Sequence, residues 1–253
     1  MQPDLDPQRR TPSASSTRAE SVFITFHGLG EPARRLDRSE LDYWVSRETY
    51  RDILDALQAS DLRSRFRVTF DDGNVSDLAY GVPELLKRGL TGTVFVLAGR
   101  LGQAGYLTRL NVRELCDLKI TIGSHGLNHV RWDSADSATL SSEIDRAIEI
   151  LGELVGDRVD SLSIPFGQYN LRVIIEIYRR GLTKVYSSDG GPRLSRVIPI
   201  PRLTVRQGMS ADHVVSLLKS AMTTWARLGV EMRSLGKGLR PWPIGSGAPS
   251  LNT

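Results

Sequence analysis

The chain has 253 residues, 40% hydrophobic and 25% charged, with a formal net charge of +4. This length suits one large α/β domain, and the composition supplies enough apolar residues for a sizeable core. The basic residues are scattered rather than gathered with aromatic residues, which argues against a nucleic-acid-binding protein, and no stretch of the sequence is apolar for long enough to span a membrane.

Residues 1–20 are rich in Pro, Ser, Arg and Asp and contain no apolar run like that of a signal peptide. We expect this segment to be disordered and the protein to be cytoplasmic. The single cysteine, Cys116, is flanked by Leu115 and Leu118 and is expected to be a small core residue.

From residue 21 onward, apolar stretches alternate with amphipathic ones. In chain order, the pattern predicts strand Val22–Phe26, a helix capped by Ser46 and running to Ala59, strand Phe66–Phe70, helix Leu78–Arg88, strand Thr93–Leu97, helix Val112–Leu118, strand Ile120–Gly123, helix Leu140–Val155, strand Ser161–Ile164, helix Leu171–Arg180, strand Thr183–Ser187, a strand near Leu203–Val205 and helix Ala211–Leu228. The alternation predicts a parallel sheet, and about seven such units favour a closed or nearly closed α/β barrel, with an open doubly wound sheet as the alternative.

Polar side chains follow several of these strands, at the point where each strand ends. The carboxyl ends of parallel strands meet at one mouth, where the reactive groups of such folds gather. Taken alone, Asp71-Asp72-Gly73 is also compatible with a simple turn. The histidine pair, taken alone, is also compatible with two partly buried, hydrogen-bonded side chains. The groups at strand ends are His27, Asp71 with Asp72, His125 with His129, and Pro165-Phe166-Gly167.

His125 and His129 are four residues apart, a spacing that on a helical turn points both rings the same way. Two such imidazoles suit one metal ion as nitrogen ligands. Together with a carboxylate from another loop they form the three-ligand arrangement of a hydrolytic metal site, which leaves positions open for water and substrate. The combination predicts a metal-dependent hydrolase.

Three segments resemble the first three motifs of the polysaccharide deacetylases, carbohydrate esterase family 4, in their order and spacing. The segments are Thr69-Phe70-Asp71-Asp72-Gly73, Gly123-Ser124-His125-Gly126-Leu127-Asn128-His129 and Pro165-Phe166-Gly167. The resemblance covers roughly Ser21 to Val205. It implies a distorted (β/α)7 barrel, with a polysaccharide deacetylase (NodB homology) domain over residues 21–230 and a flexible tail over 231–253.

The resemblance also implies roles for individual residues and a divalent cation. Asp71 would be the general base, the backbone N–H near Phe166 part of an oxyanion hole, and the metal ligands Asp72, His125 and His129. Zinc is the expected ion, because a donor set of two histidines and one aspartate is one that zinc accepts readily.

Two departures from the family pattern require substitutes. Ser163 stands where the family usually has an arginine that orients the base, and we expect Arg202 to replace it through a charge-assisted bond to Asp71.

The late Leu-x-His motif that carries the general acid is missing. Phe26-His27-Gly28 instead resembles the Tyr-His motif of the branch that deacetylates poly-N-acetylglucosamine of biofilms, which implies His27 as the acid. His213, within an amphipathic helix, is expected to have a surface or capping role.

The sequence therefore predicts an enzyme that removes acetyl groups from N-acetylglucosamine-containing oligo- or polysaccharides, akin to the chitooligosaccharide deacetylases. Trp132, soon after His129, is the aromatic residue best placed to stack on a sugar ring. Two alternatives stay open: a hydrolase of a non-sugar amide or cyclic ureide on the same barrel, and a non-catalytic glycan-binding member.

Overall fold

The computed structural model describes residues 21–190, 199–222 and 236–237. The predicted N-terminal segment 1–20, the end of the helix predicted to reach Leu228, and nearly all of the predicted tail 231–253 lie outside these residues. The strands are β1 (Val22–Phe26), β2 (Gly28–Leu29), β3 (Trp44–Val45), β4 (Phe66–Phe70), β5 (Gly92–Val96), β6 (Thr121–Ser124), β7 (Ser161–Ser163), β8 (Lys184–Ser187) and β9 (Ile200–Thr204). The α-helices are α1 (Arg38–Leu41), α2 (Arg47–Ala59), α3 (Val82–Lys87), α4 (Arg109–Asp117), α5 (Ser137–Val155), α6 (Leu171–Arg179) and α7 (Ala211–Ala221).

Seven parallel strands close into a barrel in the order β1-β4-β5-β6-β7-β8-β9, and β9 pairs back onto β1. The predicted (β/α)7 fold class is thereby confirmed, and the open sheet is excluded. β2 and β3 form a separate two-stranded parallel sheet in a region predicted only as a loop. Gly28 permits this pairing, because a Cβ there would lie 2.1 Å from the Trp44 ring.

The helices cover the outside of the barrel as the periodicity predicts. In α2, Ser46 Oγ accepts a hydrogen bond from the N–H of Thr49 at 3.0 Å. The side chains of this helix that pack into the core are Tyr50, Ile53, Leu54 and Leu57. Each such buried side chain contributes about 1.5–3 kcal/mol through the hydrophobic effect. Cys116 is half-buried at the edge of this core.

The predicted helix Leu78–Arg88 differs from the structure at its beginning, where a π-helical turn spans Asp77–Gly81 before α3 starts. Pro83 at the first turn of α3 has no N–H to donate, and the N–H of Val82 bonds back to the carbonyl of Asp77. Gly81 lets this turn approach β4, since a Cβ there would lie 2.7 Å from the Phe70 ring.

The register of the barrel brings the candidate residues to one end. Phe26 pairs with Phe70, so His27 and Asp71 leave neighbouring strands at the same level, and the N–H of Asp71 donates to the carbonyl of Phe26 at 2.9 Å. Among the described residues, no helix combines the length and the apolar character needed to cross a membrane.

Candidate metal centre and catalytic pocket

A cavity of about 860 Å³ opens at the carboxyl ends of the strands. The residues that line it come from most of the strand ends around the barrel. They include His27, Asp71, Asp72, His125, His129, Phe166 and Arg202. The structure therefore brings together every predicted site residue except Trp132.

Asp72, His125 and His129 converge on one point. Asp72 Oδ1 lies 3.5 Å from His125 Nε2 and 3.7 Å from His129 Nε2. Two ligand atoms bound to a tetrahedral zinc at about 2.0–2.1 Å are about 3.3–3.4 Å apart. These separations match a shared ion closely, and the three residues form the group suited to a metal within the part of the chain that the structure describes.

The protonation of the histidines also fits a cation. His125 Nδ1 lies 2.9 Å from the carbonyl oxygen of Ser163, so this nitrogen carries the proton and donates, which leaves the Nε2 lone pair free. Burial lowers the pKa of His125 to about 3 and that of His129 to about 4, so both rings are neutral at physiological pH.

Asp72 is the strongest sign that an ion belongs here. Its Oδ1 is buried without a hydrogen-bond partner among the described residues, and burial raises its pKa to about 6. A buried carboxylate oxygen with no partner is costly, and a cation between it and the two imidazoles removes that cost. The donor set therefore fits a divalent metal.

The segment that carries the histidines is a loop, and the expectation of a helical turn is wrong. Gly126 has φ 86° and His129 has φ 60°, both in the left-handed region, which no α-helix can accommodate. Asp72 likewise has φ 74°. Backbone strain of this kind persists only where the surroundings fix it, and it is common at functional sites.

Asp71 is clamped by Arg202 inside the barrel. Arg202 Nη1 donates to Asp71 Oδ1 and Nη2 to Oδ2, both at 2.7 Å, and both side chains are almost fully buried. Nη1 also contacts the hydroxyls of Thr25 and Thr69 at 3.3 and 3.2 Å. Burial opposes the ionisation of Asp71, but the charge and hydrogen bonds of Arg202, together with a contribution from the nearby histidines, outweigh it and hold the pKa of this carboxyl well below its usual range.

The ion pair expected between Arg202 and Asp71 is thus present, and Ser163 takes part in it. Ser163 Oγ accepts from Arg202 Nη2 at 2.7 Å and donates to Asp71 Oδ2 at 3.2 Å. A small residue on β7 leaves room for the guanidinium from β9. Arg202 lies inside β9, which begins earlier than the predicted Leu203–Val205 strand, and its guanidinium packs over the rings of Phe95 and Tyr186.

His27 lies at the wall of the cavity and is half-buried. Its carbonyl accepts from Asn74 Nδ2 at 2.8 Å, and its ring packs against Tyr43 with centroids 5.0 Å apart. Tyr43 was not identified from the sequence, because it lies in the irregular segment after β2, where no periodicity marks an inward-facing side chain. His213 is exposed on α7, and its N–H donates to the Ser210 cap at 3.3 Å.

Phe166 and Trp132 differ from each other in exposure. Phe166 has φ 58° and a side chain that is 51% exposed and stacks on the His129 ring at a centroid distance of 4.2 Å. Trp132, at 0% exposure, lies in the core with Leu140 and Ile144. The expectation that Trp132 stacks on a sugar ring is therefore wrong, because the chain turns inward after His129 and buries the indole under α5.

The matches to known proteins agree with the motifs. A family model described as polysaccharide deacetylase matches residues 63–185. YxkH of Bacillus subtilis (strain 168), which is named as a polysaccharide deacetylase, is 23% identical to this chain over 155 residues. These residues are 60% of this chain and 56% of the relative. The chain thus spans little more than half of that relative.

Solved structures of deacetylases share the fold. The Streptococcus pyogenes deacetylase PplD in complex with acetate superposes with a TM-score of 0.68 at 16% identity, over 79% of this chain and 98% of that one. A polysaccharide deacetylase from Bacillus cereus gives 0.68 at 16% identity, over 78% and 68%. IcaB from Ammonifex degensii gives 0.59 at 18% identity, over 81% and 97%. The resemblance to the polysaccharide deacetylases is confirmed.

Proposed function

We propose that this chain, whose residues 63–185 match the polysaccharide deacetylase family, is a metal-dependent hydrolase that removes acetyl groups from N-acetylglucosamine-containing oligo- or polysaccharides. One observation carries the proposal. A three-residue ligand set and a separate carboxylate, ionised by its own arginine, lie at the same mouth of the barrel.

The residues divide the reaction between them. Asp72, His125 and His129 would hold the cation, which supplies polarisation of the amide carbonyl and acidification of water when it is bound. Asp71 takes the proton of the attacking water. Arg202 uses one lone pair of each carboxylate oxygen and Ser163 uses a second one of Oδ2, which leaves a lone pair of Asp71 Oδ1 free to accept.

The remaining groups act on the charges that form later. The backbone N–H near Phe166 is proposed to donate to the oxyanion of the tetrahedral intermediate, because Phe166 lines the cavity and its ring stacks on His129. His27, on the cavity wall, would protonate the departing sugar amine.

Two observations support the proposed substrate class: the acetate bound to a similar protein and the aromatic rings that line the cavity. The S. pyogenes deacetylase was solved with acetate, which is the product that deacetylation would release. Tyr43, Trp44 and Phe166 line the cavity and offer apolar ring surfaces of the kind that pack against sugars, in the place of the buried Trp132. The pairing of Arg202 with Asp71 argues against a non-catalytic binding protein, because the base keeps its charge partner.

Acetate release from N-acetylglucosamine oligomers, with and without a chelator, tests the function directly. We expect release that the chelator abolishes and that added zinc restores. Hydrolysis of a cyclic ureide without acetate release would favour the other enzymatic class, and glycan binding without any release would favour a binding protein. The cytoplasmic location stays a prediction.

The purified protein should contain about one divalent cation per chain, with zinc expected. Elemental analysis of the wild-type protein and of the His125→Ala, His129→Ala double variant measures this content. The double variant should lose the ion, because only Asp72 would remain of the ligand set. Retention of both metal and activity by the double variant would contradict the site.

Replacing His27 by Ala should lower turnover by about 10²-fold while leaving metal content and folding intact, because a general acid contributes on this scale. A general acid acts only while it holds its proton, so the variant should also lose the alkaline limb of the pH–rate profile. His213→Ala is the matched control, since this histidine is exposed on α7. A larger loss in the control than in His27→Ala would exclude His27 as the acid.

A further inference from the structure

The loop between the two histidine ligands, residues 126–128, has no regular secondary structure, yet most of its backbone N–H and C=O groups are hydrogen-bonded. On one side, the carbonyl oxygens of Gly126 and Leu127 accept from the N–H groups of Ala98 and Gly99 at 3.0 and 2.9 Å. The N–H of Gly126 donates to Ser124 Oγ at 3.1 Å, and the N–H groups of Leu127 and Asn128 point toward α5. A loop of this kind needs an acceptor there, because unpaired buried N–H groups are costly.

Glu143 of α5 supplies that acceptor. Its Oε2 accepts from the N–H groups of Leu127 and Asn128, both at 3.0 Å, and its Oε1 accepts from Asn128 Nδ2 at 2.9 Å. The side chain is 2% exposed and lies on the buried face of the helix, between Leu140 and Ala147. Within the part of the chain that the structure describes, the hydrogen bonds of the Glu143 carboxylate all go to Leu127 and Asn128.

The packing leaves little freedom for another arrangement. A Cβ at Gly126 would lie 2.9 Å from the Trp132 ring and 3.1 Å from Glu143 Oε2. The buried indole and the carboxylate together form the floor on which the loop rests. His129, at the far end of the loop, has the left-handed backbone that such support makes tolerable.

We propose that Glu143 is a positioning residue of the metal centre, whose carboxylate fixes the backbone of residues 126–128 and thereby the distance between the imidazoles of His125 and His129. The inference rests on the metal site of the proposed function. Only an ionised carboxylate presents two oxygens that accept and never donate, which is what three converging N–H donors require.

Glu143→Gln tests this role with almost no change in shape. The new amide group turns one acceptor into a donor that faces the N–H groups of the loop. We expect zinc affinity, measured by competition with a chromogenic chelator, to fall by about 10- to 100-fold, as is typical when a group that orients a ligand is lost. The absorption spectrum of the cobalt-substituted protein should change as well, because it reports the ligand geometry. Circular dichroism of the metal-free protein should be unchanged.

Glu153→Gln is the matched control on the same helix, because that side chain is 66% exposed and its contact with the described residues is a 3.7 Å ion pair with Arg109. It should keep wild-type zinc affinity and spectrum. Glu143→Asp keeps the carboxylate with a shorter reach and should restore part of the affinity that Glu143→Gln loses.

The outcomes separate this inference from the proposed function. Wild-type affinity and an unchanged cobalt spectrum in Glu143→Gln would overturn the positioning role, while metal binding by the wild-type protein would still support the function. A wild-type protein that binds no metal would overturn both. If Glu143→Gln does not fold, Asn128→Ala, which removes one donor from an exposed position, should weaken zinc binding a few-fold, and unchanged affinity there would overturn the role.

Discussion

Replacing Asp71 by Asn should lower turnover by about 10² to 10⁴, the usual cost of losing a general base, while the protein still binds metal. The amide cannot take a proton from water, yet it keeps one oxygen that can accept from Arg202. The guanidinium also retains its contacts with Thr25, Thr69 and the hydroxyl of Ser163. Turnover at saturating substrate and metal content by elemental analysis are the two measurements.

Asp72→Ala provides the comparison, because the two aspartates are adjacent in sequence but face different partners. Asp72 Oδ1 points at both imidazoles, whereas both oxygens of Asp71 bond to Arg202. Asp72→Ala should therefore lose metal affinity together with activity. Equal metal loss in the two variants would show that base and ligand are assigned the wrong way round.

Replacing Arg202 by Met should destabilise the protein by about 3–5 kcal/mol, the range found when one partner of a buried ion pair is removed. The loss leaves the buried Asp71 with the hydrogen bond from Ser163 at 3.2 Å as its side-chain partner among the described residues, so the carboxylate must either stay charged without a cation or take up a proton. Turnover should fall too, since burial then raises the pKa of Asp71 and protonates the base. Urea unfolding of the metal-free protein measures the free energy of unfolding.

The contribution of the Arg202–Asp71 ion pair to the free energy of unfolding should depend on pH. The pKa of Asp71 is lowered in the folded protein, so the pair stabilises the fold above about pH 4, where the unfolded carboxyl ionises, and this contribution is lost as pH falls through the lowered value. The difference between wild type and Arg202→Met should therefore narrow on acidification. The double variant with Asp71→Asn removes both charges and should recover part of the lost stability. A constant difference at all pH values would show that Arg202 stabilises the fold by packing alone.

The arginine that pairs with Asp71 comes from β9, whereas the sequence pattern places the usual arginine at the position of Ser163 on β7. Side chains from β7 and β9 meet inside the barrel, where Arg202 Nη2 lies 2.7 Å from Ser163 Oγ and both side chains contact Asp71. Ser163 occupies little space and adds a hydroxyl that bridges the pair. Asp71 thus has a cationic partner, Arg202, although Ser163 stands where the resemblance leads one to expect an arginine.

The sequence by itself determined the elements of the barrel and the residues at its mouth. Strand and helix periodicity arises from local side-chain alternation, so Val22–Phe26, Phe66–Phe70 and helix α2 could be predicted closely. Parallel strands end at one mouth whatever their order, so Asp71, Asp72, His125 and His129 could be brought together from their positions alone.

Only the tertiary structure decided how these residues are supported. The ligand segment is a loop because Gly126 and His129 adopt left-handed backbone angles, and spacing alone cannot distinguish that loop from a helical turn. Trp132 is buried rather than exposed because α5 covers it, a contact between distant elements. The sequence shows Glu143 as a charged residue on the apolar face of a predicted helix, but it does not show that the carboxylate accepts hydrogen bonds from Leu127 and Asn128. The reason is physical: hydrogen bonds across such separations depend on how the barrel closes, and closure depends on the whole chain.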